Sequence, residues 1–399
     1  MAGLARRLAA PIAARLLKRL TGLPPSALDS KLRQESAAGP AHASTRAPIL
    51  LQRTGFLLHT PELLNHFSCV MELLPRGRVD LVVCRDAHGS TEVERAASRL
   101  RAPVHTVDQV LASGKRYECL VSNHPIMLGD PSILKHLGAT NVRFMYAAGK
   151  SGWNFSSWNS LYDLILCYGP YHASEFAKRT SAVIVQMGYP RMDRYFTDHV
   201  DLAQLKKRFN CEPAKQTVVW LPTWKALSSV GLFDEQIAAL AGKYNVIVKV
   251  HPLMPGDEPD RVTRLRRHTF THLITDASDN LPLYQLADFM LFDYGGPPFA
   301  GLYTDKRMLL LNVPNAARDQ LAGEDSPDIA LRQTIANVDA STSGDIAQLL
   351  GDKDLWDKQR KQRDQLRKLY FAPYYGFSAM VAALTLSNIN HVLAPRGSA

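Results

Sequence analysis

Apolar residues along this chain fall into short unbroken runs, and between the runs they recur at helical spacing. β-Branched runs without alternation predict strands buried on both faces, as in parallel sheets covered by helices. In the first half the runs are GFLLHT (55–60), VDLVVC (79–84), ECLVSNH (118–124), NVRFMYA (141–147), LYDLILCYG (161–169) and AVIVQMGYP (182–190). Helical patterns at 62–74, 90–101, 130–137 and 171–179 lie between several of them. The second half repeats the habit with TVVWLPTW (217–224), NVIVKVHP (245–252), HLITD (272–276), FMLFDYGG (289–296) and RMLLLNVP (307–314). Helices are predicted there over 232–243, 258–267, 280–288 and 297–304. This order predicts two doubly wound α/β domains in series, 48–200 and 210–345, joined near 195–215 and followed by C-terminal helices over 346–393. Ligands of such sheets bind outside the carboxyl ends of the strands, so the two domains are expected to face each other across a cleft that holds the site.

The chain start breaks this pattern. Residues 1–20, MAGLARRLAAPIAARLLKRL, carry Arg6, Arg7, Arg15, Lys18 and Arg19 and no acid. On a helical wheel Ile12, Leu16, Leu17 and Leu20 gather opposite Arg7, Arg15, Lys18 and Arg19. An amphipathic helix over 1–22, lying on an anionic membrane surface, is predicted. An organellar transit peptide and a plain solvated helix are the rival readings. Residues 23–47, rich in Pro, Gly, Ser and Ala, read as a flexible linker. No apolar run is long enough to span a bilayer.

Composition narrows the picture further. Of the 399 residues, 46% are hydrophobic and 21% charged, ordinary for a soluble globular chain with real cores. Cys69, Cys84, Cys119, Cys167 and Cys211 are odd in number and scattered, which fits reduced thiols and neither a disulfide frame nor a paired-cysteine metal site. The formal net charge of +10 points to an anionic partner. The basic residues are not interleaved with aromatics as a single-strand binder requires, so nucleic acid is not expected.

Chemistry concentrates at the carboxyl ends of the second-half strands. They offer Thr223, Trp224 and Lys225 from one end, Lys249 and His251 from a second, and Tyr294, Gly295 and Gly296 from a third. The glycines let a ligand approach the backbone, and the helix after them is expected to aim free N–H groups at a phosphate. Neither the Walker nor the dinucleotide glycine fingerprint is present.

LPTWK (221–225), VKVHP (248–252), LYQLADFMLFDYGG (283–296), YTDK (303–306) and GYPRMD (188–193) together resemble the CDP-glycerol glycerophosphotransferase family of teichoic-acid primases and polymerases, over roughly residues 140–315. The resemblance implies a fold of two Rossmann-like domains of the glycosyltransferase B type. It also implies transfer from a CDP-activated donor, with an acceptor hydroxyl attacking the β-phosphorus and CMP leaving. On this likeness His251 contacts the donor diphosphate, and Thr223, Trp224, Lys225, Lys249, Tyr294, Gly295, Gly296 and Arg191 belong to the donor site. Three departures bear on polymer formation and glycerol specificity. Gly295 and Gly296 replace a serine pair, Ala300 stands where an aspartate is frequent, and Ala148-Gly149-Lys150 occupies the place of a histidine that is a candidate base.

Without that histidine, the acceptor proton is expected to go to His251 or to a first-domain strand-end histidine, His124 or His59; each of the latter pair also reads as a packing residue. Lys150 is a phosphate contact and, with a depressed pKa, a base. Asp193 reads equally well as a helix cap. Trp153, Asn154, Trp158 and Asn159 read either as an acceptor shelf or as braces of the fold. No cofactor and no metal is expected; cations would offset the charge on departing CMP.

The expectation is therefore a transferase at the cytoplasmic face of the cell membrane, moving a glycerol-phosphate or related polyol-phosphate unit from a CDP-linked donor to a lipid-linked or glycan acceptor. The alternatives are a nucleotide-sugar glycosyltransferase of capsule or lipopolysaccharide synthesis and a catalytically silent membrane scaffold. Oligomeric state is left open.

Overall fold

Thirteen strands carry the architecture of the computed structural model, which describes residues 49–126, 133–316, 323–341 and 346–394. The helix expected at 1–22 and the linker at 23–47 lie outside the described residues. The strands are β1 (Ile49–Leu58), β2 (Val79–Val83), β3 (Val104–Thr106), β4 (Lys115–Ser122), β5 (Gly138–Phe144), β6 (Leu164–Cys167) and β7 (Val183–Gln186), then β8 (Thr217–Leu221), β9 (Asn245–Lys249), β10 (His272–Ile274), β11 (Phe289–Phe292), β12 (Arg307–Asn312) and β13 (Asn337–Asp339). The first sheet runs β3-β2-β1-β4-β5-β6-β7 and the second β10-β9-β8-β11-β12-β13. Strand order reverses between β1 and β4 in one and between β8 and β11 in the other, the switch points where doubly wound sheets bind ligands. Within the second sheet every pairing is parallel.

The second sheet shows why its runs do not alternate. Val218, Trp220, Val246, Val248, Leu291 and Leu309 pack into one core on one face, while Val219, Ile247, Met290 and Met308 on the other are equally buried. The predicted strands exist but stop earlier than the sequence suggested. β8 ends before Pro222, which has no N–H to give the ladder, and β9 ends at Lys249. The residues after them are loops, so the chemistry sits beyond the strands. β3 and β13, three residues each, escaped prediction.

Compactness divides the described chain into two units. The first runs to Phe144 and adds 160–164 and the chain from Leu386; the second holds 145–159 and 165–385. The sequence placed 48–200 in the first domain, and β6 and β7 do belong to the first sheet, while compactness groups 165–200 with the second unit. Packing explains the assignment to the second unit. Tyr168 and Tyr189 lie 4.6 Å apart, and Tyr189 stacks on Phe371 at 5.9 Å, itself 4.9 Å from Tyr303. The GYPRMD turn is part of this joint. Gly188 has φ +78°, and a Cβ there would meet Ser378 Oγ at 2.3 Å. Asp193 accepts from Ser378 N (3.1 Å) and Ala379 N (2.6 Å), so it caps the helix Ser378–Ser387, far away in sequence. Burial holds its pKa up near 6 despite these bonds.

Candidate functional site

At the second sheet's switch point, one buried carboxylate joins two strand ends. Asp293, just past β11, accepts from Thr223 N (2.8 and 3.0 Å), Ser229 N (2.8 Å), Ser229 Oγ (2.8 Å) and Tyr294 N (2.8 Å). Burial raises its pKa to about 6 in spite of these donors. The segment after β8 is thereby pinned against the segment after β11. The price is that Thr223 and Tyr294 present no spare backbone N–H to a ligand.

Beyond this anchor the loop carries Trp224 and Lys225. Lys225 holds a left-handed φ of +58°, uncommon for a side chain with Cβ, and its N–H donates to Glu258 Oε2 at 2.6 Å. The turn brings Lys225 Nζ over the Trp224 ring at 3.8 Å. The His251 imidazole is parallel to the same indole, 5.0 Å between centroids and 4° between planes.

The protonation state of His251 follows from its neighbours. Leu253 N donates to His251 Nδ1 at 3.2 Å, so Nδ1 carries the lone pair and Nε2 the proton. Burial first, then the charges of Lys150, Lys249 and Lys225, lower its pKa to about 4. His251 is thus a neutral ring whose Nε2–H donates, set among three cations. This argues against the general-base reading: the accepting nitrogen is already used, and a further positive charge beside three lysines is disfavoured.

The glycine turn differs from expectation too. Gly295 has φ +106°, which only glycine adopts freely, and at Gly296 a Cβ would meet nothing. The helix that follows, Pro297–Tyr303, begins with two prolines, which bring no N–H. The Gly295 N–H donates to Asp328 Oδ2 at 3.0 Å. The row of free N–H groups predicted for phosphate is therefore mostly absent, and side-chain cations carry the positive charge instead.

Asp328 and Arg332 were missed by sequence reading. Asp328 is buried, and its N–H donates to Gly149 O at 3.2 Å. A Cβ on Gly149 would lie 2.5 Å from its carboxylate. Arg332 stacks its guanidinium 3.6 Å over the Tyr294 ring and donates to Asp328 O at 2.5 Å and to Asp293 O. Tyr294 is thus a buried prop beneath an arginine, not the ligand contact expected of it. The only sequence signal was Ser326-Pro327-Asp328, which reads as an ordinary helix start.

The remaining predicted residues divide. Lys249 is buried and donates to Asp276 O at 3.1 Å, so it acts on the site through its charge. Arg191 pairs with Asp279 at 3.1 Å; burial opposes its charge, but Asp279 and nearby tyrosines keep its pKa raised. Asn154 and Asn159 are buried braces, donating to Ala147 O (2.8 Å) and to Asn154 O (2.9 Å) and Ser156 O (2.7 Å). Of the two readings given for them, these bonds favour the braces. Trp153 and Trp158, half-buried, meet edge to face at 5.7 Å.

In the first unit His124 stacks on His59 at 3.9 Å, and each ring bonds a backbone carbonyl: His59 Nε2 to His124 O at 3.1 Å, His124 Nδ1 to Pro125 O at 2.8 Å. A carbonyl only accepts, so His59 Nε2 carries its proton and Nδ1 faces Cys84 Sγ at 3.6 Å. Burial lowers the pKa of His59 to about 3 and that of His124 to about 4. This is a packed, mutually satisfied pair at the ends of β1 and β4, which argues against the base role expected of His124.

Two doubly wound parallel sheets, one bearing an aromatic-backed histidine among lysines at its switch point, define a protein of glycosyltransferase B architecture. Solved structures share this fold. A variant of the wall teichoic acid polymerase TagF soaked with CDPG matches at TM-score 0.59 and 13% identity, covering 86% of this chain and 90% of that one. Another TagF variant matches at TM-score 0.59 and 12% identity, covering 99% of this chain and 100% of that one. UDP-GlcNAc 2-epimerase from Neisseria meningitidis, bound to UDP-GlcNAc, matches at TM-score 0.52 and 13% identity over 85% of this chain and 100% of its own. No curated protein matches in sequence. Residues 113–311 match the family described as CDP-Glycerol:Poly(glycerophosphate) glycerophosphotransferase. The chain carries a domain of this glycerophosphotransferase family and is a transferase.

Proposed function

We propose that this protein transfers a glycerol-phosphate or related polyol-phosphate unit from a CDP-activated donor to a lipid-linked or surface-glycan acceptor and releases CMP. The observation that supports this reading best is His251, kept neutral with its proton on Nε2, flat on Trp224 and within the field of Lys150, Lys249 and Lys225. Such a cluster suits a diphosphate. In the reaction the acceptor hydroxyl oxygen attacks the β-phosphorus and gives up its proton to solvent, the bond to the bridging oxygen breaks, and that oxygen leaves on CMP. Lys150 and Lys225 would bind the diphosphate, and His251 would donate to the oxygen on which charge develops. Trp153 and Trp158 offer flat surfaces for a sugar or polyol acceptor. We place the protein at the cytoplasmic face of the membrane through residues 1–22, whose deletion would move it to the soluble fraction. Among the described residues no helix is long and apolar enough to cross a bilayer.

The test is nucleotide release by the purified protein: CMP from CDP-glycerol or from a CMP-linked sugar, and UDP or GDP from the UDP- and GDP-linked sugars. Turnover with CDP-glycerol, lost in His251→Ala, supports the reading. Turnover only with a nucleotide sugar favours glycosyl transfer, the reading suggested by Gly295, Gly296 and the histidine-free Ala148-Gly149-Lys150 loop. Nucleotide binding without turnover of any donor would leave a silent scaffold.

A further inference from the structure

Asp328 lies past the end of the family match at residue 311, yet it touches two segments that form the site. Its backbone N–H holds Gly149 O at 3.2 Å, and its Oδ2 takes the Gly295 N–H at 3.0 Å. Its Oδ1 is buried and has no hydrogen-bond partner. Lys150, next to Gly149, acts electrostatically on both Asp328 and His251. Arg332, which donates to the Asp328 carbonyl, supplies the other nearby positive charge.

An ionised carboxylate with an unpartnered oxygen is costly to bury, and packing alone would be better served by an apolar side chain. Its contacts join the Gly149-Lys150 loop to the Gly295-Gly296 turn. Gly149 is required by that contact, because a Cβ would strike the carboxylate at 2.5 Å.

We propose that Asp328 is a positioning residue for the donor site: its carboxylate fixes the Gly295 turn and, as counter-charge to Lys150, holds that lysine beside His251 to meet the donor diphosphate. The idea rests on the donor-site reading above. It goes beyond that reading by naming a residue outside the matched family segment as the one that sets the cation's place. Arg332 and Asp293 stay where they are through their own bonds and are not part of the claim.

The experiment measures CDP affinity by calorimetry for the full-length protein and for Lys150→Met, Asp328→Asn and the double variant, with thermal melts alongside. Asp328→Asn keeps shape and removes charge. We expect Lys150→Met to weaken binding about tenfold, the loss of one charge-assisted contact. Asp328→Asn should weaken it about fivefold on the same scale, with the double variant no weaker than Lys150→Met alone. Gly149→Ala, which displaces the carboxylate sterically, should reproduce the Asp328→Asn loss, and it serves as the test should Asp328→Asn not fold. Multiplying effects in the double variant, or full affinity in a folded Asp328→Asn or Gly149→Ala protein, would overturn the proposal. If the unaltered protein binds no CDP, the donor reading itself fails, which is a separate outcome.

Discussion

Two histidine stacks stand beyond strand ends, one at the β1–β4 switch point and one across the ends of β8 and β9, and they differ in what surrounds them. His59 and His124 face each other, a thiol and backbone carbonyls, with the Arg143 charge also acting on His124; their pKa values fall to about 3 and 4 chiefly through burial. His251 faces an indole and feels three lysines; its pKa falls to about 4 through burial and those charges together. Similar shifts therefore have different meanings. A ring depressed mainly by burial, with its nitrogens held by neighbouring backbone and one arginine nearby, is a packing element. A ring depressed by gathered cations marks a place prepared for an anion, because an arriving phosphate reverses the sign of the field.

The largest expected effect separates the two directly. His251→Ala should lower CMP release about 100-fold, the scale for losing one preorganised donor at developing charge. His124→Gln should change it less than about twofold, while lowering stability by about 1 kcal/mol through the lost stack and hydrogen bond. A His124→Gln protein that melts normally but no longer turns over would break the contrast. Next in size, Lys225→Met should weaken CDP binding about tenfold, as one charge-assisted contact is removed.

Proton uptake sharpens the comparison. Bound diphosphate raises the pKa of His251 from about 4, so CDP binding near pH 5 should take up protons, seen as a dependence of the binding heat on buffer ionisation. His251→Gln should lose that uptake and His124→Gln should keep it. Uptake undiminished in His251→Gln would place the titrating group elsewhere.

The smallest effects lie in the pH dependence of stability. Each of the three histidines has a folded pKa below its ordinary 6.5, so each contributes a loss of stability as pH falls from 6.5 towards 4. Asp293 and Asp328 have the opposite sign. Their pKa values are raised from 3.8 to about 6, so their contribution is full below pH 3.8 and is lost as pH rises through 6. The melting temperature of Asp328→Asn relative to the unaltered protein should therefore climb between pH 4 and pH 7. A flat difference would mean that the Asp328 carboxyl has the same pKa in the folded and unfolded chain.

Much of the fold was legible because burial on both faces writes itself as an unbroken apolar run, as in VVWL and FMLF. The strand-end residues Trp224, Lys225 and His251 were legible because a run that stops on polar groups marks where a sheet ends. Tyr294 read as a ligand contact, and Asn154 and Asn159 read either way, because a polar side chain looks the same in sequence whether it faces a ligand or a backbone carbonyl. Asp328 carried no signal, since its partners Gly149 and Gly295 are distant in the chain. The GYPRMD turn was found as a motif, but its bond to Ser378 gives it a purpose the string does not contain.

What the sequence determined by itself was local: where strands and helices form, and which of their ends carry cations, an imidazole and glycines. Spacing and side-chain type suffice for that. Only the tertiary structure decided that His251 is a neutral donor, that the glycine turn spends its N–H on a carboxylate, and that His124 is held in a packed pair. Protonation and hydrogen-bond supply depend on which charges and carbonyls come within a few ångströms, and the path of the whole chain sets that proximity.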